Sequence, residues 1–88
     1  MNNLLILLKL DLGISNNARD EYFLSLIDSS KAEIERRGIT LDFQDIEDQM
    51  LVSDYAAWQY RKRQEDVPLA RNIIARLRNR IIKERAKR

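Results

Sequence analysis

The chain has eighty-eight residues with sixteen Lys and Arg against fourteen Asp and Glu, a formal charge of +2. That is enough for one domain with a modest core, small enough to gain stability from self-association. It contains no Cys and no His, which excludes a disulfide framework and a thiolate metal site and removes the commonest metal ligand and general base. No enzymatic activity, metal or cofactor is therefore expected. Two Gly and one Pro among many Leu, Ile, Arg, Glu and Asp predict an all-α domain over 1–88, a bundle of about four helices with a short first one and three longer ones.

In chain order, residues 3–10 (NLLILLKL) are almost continuously apolar and end at Asp11 and Gly13. The run is far shorter than the roughly twenty residues a bilayer span needs, and it lacks the cationic start and cleavage site of a signal peptide. Residues 1–13 are read as a short core helix, as an apolar arm docked on a neighbouring subunit, or as a membrane-surface anchor. Ser15, Asn16 and Asn17 offer capping side chains, and Asp20 and Glu21 supply first-turn negative charge for a second helix over about 17–37. Its stripe is Tyr22, Phe23, Leu26, Ile27 and Ile34, with Ser30 small enough for close approach, and Gly38 is its stop signal.

A brief extended link at Ile39–Leu41 leads to Asp42, the expected N-cap of a third helix over about 43–62. Phe43, Ile46, Met50 and Leu51 form an ordinary amphipathic pattern that leaves Asp45, Glu47 and Asp48 towards solvent. From Val52 to Tyr60 the pattern closes on itself. At about 100° per residue, Val52, Tyr55, Ala56, Ala57, Trp58 and Tyr60 cover most of the circumference. An 88-residue monomer offers little to bury a helix on every side, so Val52, Tyr55, Trp58 and Tyr60 are expected at a subunit interface. Asp54 falls inside that arc. An unpaired buried carboxylate is costly, so Asp54 is expected in a structural ion pair, with Arg61 or with an Arg of the last helix.

Pro68 closes the charged connection after Arg61 and is expected at the first position of the last helix, where its missing N–H costs nothing. That helix carries Leu69, Ala70, Ile73, Ile74, Leu77 and Ile81 on one face. Arg71, Arg76, Arg78, Arg80, Lys83 and Arg85, with Lys87 and Arg88, occupy the rest, so 76–88 forms a basic end. Any one of these cations is most simply a solvated surface charge. As a set they suit phosphate or the acidic part of a neighbour. Residues 1–60 hold five basic and eleven acidic residues, a balance of −6, whereas 61–88 hold eleven basic and three acidic, a balance of +8.

The run SDYAAWQYRKRQEDVPLARNIIARLRNRII (53–82) resembles the small head–tail connector, or adaptor, proteins of tailed bacteriophages, in which a Tyr-rich helix leads through a basic stretch to a Pro and an Arg-rich helix. The opening LLILLKLDLGIS and the acidic helix start NARDEYFLSLIDSSKAEIERRG fit the same order. The resemblance rests on pattern and covers most of the chain. It implies a helical, non-enzymatic structural protein that assembles as a ring, usually dodecameric, beneath the portal protein and accepts the tail or a stopper protein. It also implies residence at the virion head–tail junction after assembly in the host cytoplasm, with at most non-specific contact to DNA in the channel and none to membrane. A charge-polar subunit suits the heterologous contacts of a ring.

The rival reading is a small helical DNA-binding protein, either a helix-turn-helix regulator or a terminase small subunit. It requires a recognition helix with base-reading polar side chains, and the last helix is rich in Arg but poor in Asn, Gln, Ser and Thr. A helical partner-binding module of the toxin–antitoxin kind is the third.

Overall fold

The computed structural model describes residues 2–86 and consists of four helices: α1 Asn2–Leu12, α2 Asp20–Arg36, α3 Ile46–Glu65 and α4 Arg71–Ala86. Among the described residues there is no strand, and the chain is a small all-α bundle. It is a flat body of 43 × 28 × 17 Å in which α1, α2 and α4 all pack against α3. Lys87 and Arg88, counted with the basic end of the last helix, lie outside the described residues.

The helix ends follow from local chemistry. Gly13 sits at φ +72, and the N–H groups of Gly13 and Ile14 donate back to the carbonyls of Leu10 and Lys9 at 3.2 and 2.9 Å. This paired closure satisfies carbonyls that would otherwise lack partners. Gly38 at φ +92 ends α2 in the same left-handed region. At the start of α2 the capping side chains act one step earlier than expected. Asn16 Oδ1 accepts from Ala18 N, Asn17 Oδ1 accepts from Lys9 Nζ, and Arg19 occupies the N-cap without a side-chain bond. The Lys9–Asp20 ion pair at 2.8 Å joins the end of α1 to the first turn of α2.

Helix α3 begins later than expected because the cap is Asp45, whose carboxylate accepts from Glu47 N at 2.9 Å. Asp42 instead shapes the preceding turn. Its side chain accepts from Gln44 N, and its carbonyl accepts from Asp45 N. At the far end Asp66 is left-handed at φ 52, the one non-Gly residue so placed among those described. The Trp58 indole donates to the Val67 carbonyl at 3.0 Å, folding the link back onto α3. Pro68 therefore lies within the link rather than at a helix start. The first intrahelical acceptor of α4 is Ala70, whose carbonyl takes the N–H groups of Ile73 and Ile74.

The core joins Leu4 and Leu8 of α1 to Phe23, Ile27 and Ile34 of α2, to Leu51, Val52, Tyr55, Ala56 and Ala57 of α3, and to Ile73 and Leu77 of α4. Ser30 is buried and donates its hydroxyl to the Leu26 carbonyl at 2.7 Å, so its burial leaves no polar atom unpartnered. Of the three readings of residues 1–13, the packing matches the core helix, since Leu8 has no exposure at all. No helix of the described residues is long and apolar enough to cross a membrane.

Leu8→Ala is expected to destabilise the protein by about 2–5 kcal/mol, the range for emptying a buried leucine site. Chemical denaturation followed by circular dichroism measures it. Removing residues 1–10 is expected to abolish the cooperative transition altogether, whereas a dispensable arm would leave it unchanged.

Candidate interaction surfaces

The all-round apolar pattern of α3 is satisfied by its own chain. Val52 is fully enclosed and Tyr55 nearly so, which places both inside the subunit core rather than at the subunit interface expected for them. The reason is geometric: α1, α2 and α4 cover α3 from three directions, so a helix that is apolar on most sides needs no second copy. Trp58 and Tyr60 are only half-buried. Tyr60 stacks in a tilted cluster with Tyr22 and Phe23, at centroid distances of 6.4 and 5.6 Å, while Trp58 meets Tyr55 edge-on at 5.4 Å.

Of the two partners expected for Asp54, Arg61 or an Arg of the last helix, the structure selects the second. Asp54 pairs with Arg76 of α4 at 2.7 Å, and both side chains remain about a third exposed, at 33% and 35%. Arg61 instead reaches Asp11 of α1 at 3.3 Å. The buried carboxylate of the molecule is Asp48, which retains 1% exposure. Its Oδ1 accepts from Arg80 Nη1, and its Oδ2 accepts from Asp42 N at 2.8 Å. Asp48 was expected towards solvent, but it lies three, four and seven residues before Leu51, Val52 and Tyr55, on the same helical stripe as these core residues. That spacing was the available signal.

Arg80 does more than neutralise Asp48. Its Nη2 donates to the Thr40 carbonyl at 2.8 Å, and Glu84, one turn further along α4, accepts from Thr40 N at 3.4 Å. Both backbone polar groups of Thr40, in the α2–α3 link, are thus held by α4. Arg76 and Arg80 are consequently structural cations, not members of an open basic face. Arg71, Arg78, Lys83 and Arg85 stay exposed on α4. Because Asp54 and Asp48 meet Arg76 and Arg80 in turn, α3 and α4 lie side by side and antiparallel.

A second surface lies between α2 and α3. It is an open groove of about 800 Å³ with an apolar floor of Tyr22, Leu26, Tyr55 and Trp58. Cations crowd its margins: Arg63 Nη1 donates to the Tyr22 hydroxyl at 2.8 Å, Lys62 sits 5.0 Å over the Trp58 ring, and Arg19 sits 4.6 Å over the Tyr22 ring. Sequence reading missed this groove, because Tyr22 and Arg63 are forty-one positions apart and only the α2–α3 packing joins them. No family model, curated protein or solved structure matches the chain.

Removing a buried carboxylate leaves its Arg partner uncompensated, so Asp48→Ala is expected to cost about 3–5 kcal/mol. The half-open pair is screened by water, so Asp54→Ala is expected to cost only about 1 kcal/mol or less. Urea titrations of the two variants test this order, and equal losses would refute it.

Proposed function

We propose that the chain is a small head–tail connector of a tailed bacteriophage: a structural subunit that assembles as a ring on the portal protein after DNA has entered and offers the opposite surface to the tail or a stopper protein. The observation that carries this reading is the outer face of α4. Arg71, Arg78 and Arg85, spaced seven residues apart, are exposed, and among the described residues none meets a carboxylate, while the two inward cations are held by Asp54 and Asp48. A rigid helix with its inner cations neutralised and its outer cations open suits contact with an acidic protein surface or passing phosphates.

The resemblance of residues 53–82 supports the same reading, since this segment forms the α3–link–α4 hairpin. The scarcity of Asn, Gln, Ser and Thr on α4 also favours a connector over a helix-turn-helix regulator, whose recognition helix reads base edges with polar side chains. In this role the protein belongs to the virion, at the head–tail junction, and needs no catalytic group.

Reversing Arg71, Arg78 and Arg85 to Glu leaves Arg76 and Arg80 in place, so the fold is expected to survive. Phage carrying this variant are expected to accumulate DNA-filled, tailless heads, counted by electron microscopy. Empty heads would indicate a packaging role and support the terminase reading. Tight, sequence-specific duplex binding by the purified wild type would support a regulator. Its salt dependence reports the number of phosphates contacted, with a slope of about −0.9 for each.

A further inference from the structure

We propose that copies of this chain join head to tail, the acidic tip at the start of α3 of one copy inserting into the basic-rimmed groove between α2 and α3 of the next. The inference deepens the connector reading and rests on its premise that the chain self-assembles. It names the two surfaces that meet.

The tip is acidic and apolar together. No Lys or Arg occurs between Gly38 and Tyr60, and Asp42, Asp45 and Glu47 are exposed around the first turn of α3. Beside them Ile46 is 59% exposed and Met50 49%. The recess under this turn is lined by Asp42, Asp45, Glu47, Asp48 and Glu84 against Arg80 and Lys83, which leaves an excess of three negative charges. Two large apolar side chains next to these carboxylates thus stay about half-exposed in the subunit.

The groove is the complement. The accessible part of its floor is the half-buried Tyr22 and Trp58, lying over the buried Leu26 and Tyr55, and at about 800 Å³ it falls within the size range of clefts that take a compact ligand. Glu33 is the acid in its lining, and Arg36 neutralises it at 2.7 Å. Lys62 and Arg63 therefore set the sign of the rim. Arg37, whose Nη2 lies 3.5 Å from the Tyr55 hydroxyl, and Arg19 extend it. Among the described residues none of these four cations meets a carboxylate. They rest on aromatic rings and phenol oxygens, which leaves their charge available to a partner's acids.

The two surfaces cannot meet within one subunit. Lys62 lies sixteen residues beyond Ile46 on the same helix, about 24 Å at 1.5 Å per residue. Two different surfaces of one body that complement each other make a heterologous contact, which propagates and closes into a ring when the rotation permits.

Two variants test the contact. Ile46→Lys with Glu47→Lys blocks the tip and spares the Asp45 cap and the Asp48 pair, while Lys62→Glu with Arg63→Glu blocks the groove. By analytical ultracentrifugation the wild type is expected to form multimers as concentration rises, and each variant alone is expected to remain monomeric. An equimolar mixture is expected to stop at dimers, because one live tip meets one live groove and nothing can add to either end. A wild type that stays monomeric at millimolar concentration, a variant that still multimerises, or a mixture without dimers would each overturn the contact. Should a charge variant fail to fold, the cysteine-free chain provides a second route. Gln44→Cys and Ser29→Cys in one chain, treated with a short bis-maleimide, are expected to give a ladder of multimers. The two single-cysteine chains mixed are expected to give dimers only, and dimers from either one alone would show a different, symmetric contact. The particle assay separates this proposal from the connector reading. Normal tailed phage from the tip and groove variants would refute the contact and leave the connector, whereas empty heads from the α4 reversal would refute the connector and leave the contact.

Discussion

Everything in this bundle depends on covering α3. Its segment Leu51–Ala57 has buried side chains on nearly every side, and a flat molecule only 17 Å thick in its short dimension has little depth to hide them. The chain meets this demand by laying α1, α2 and α4 around α3 rather than stacking two equal layers. Ala56 and Ala57 and the buried Ser53 keep the surface of α3 low, which lets neighbouring helices approach closely. The burial of Leu4 and Leu8 follows from the same demand. Without α1 one side of α3 would face water.

The fourth helix is attached in another manner. It fully buries only Ile73 and Leu77 and packs the half-buried Ile81 against the core, and it adds polar contacts: Arg76 on Asp54, Arg80 on Asp48 and Thr40, and Glu84 on Thr40. Hydrogen bonds of this kind fix register more than they add stability, because each exchanges a water partner for a protein one. Asp48 is the exception. Its carboxylate is removed from water and satisfied by Arg80 and the Asp42 amide, so losing either partner exposes a desolvation cost that the intact arrangement hides.

The cations of this molecule thus fall into three groups. Arg61, Arg76 and Arg80 are engaged by carboxylates of the same chain. Arg19, Lys62 and Arg63 lie on aromatic rings, while Arg71, Arg78, Lys83 and Arg85 remain exposed on α4. The asymmetry between the two parts of the sequence is in this way partly consumed in holding α4 to α3. What remains forms two basic regions, on α4 and at the α2–α3 groove, and an acidic tip at the start of α3.

How much of this was legible in the residues follows from the range of each interaction. Helix number, the Gly13 and Gly38 stops, the first-turn acids and the stripe of α2 are decided within one or two turns, and the linear pattern carries them. The buried place of Asp48 was also written in its spacing to Leu51, Val52 and Tyr55, although its acidic neighbours Asp45 and Glu47 masked it. The sequence alone could not distinguish a helix buried by its own chain from one buried by a second copy, because both demand the same apolar circumference; Val52 and Tyr55 are decided by where α1 and α4 pack. The partners of Asp54 and Arg61 were undetermined for a related reason. Ion pairing depends on which helices lie side by side, and the pairs formed are Asp54 with Arg76 and Arg61 with Asp11. The α2–α3 groove belongs wholly to tertiary structure, since Tyr22 and Arg63 come together only when two amphipathic helices pack antiparallel and leave a furrow between their outer edges.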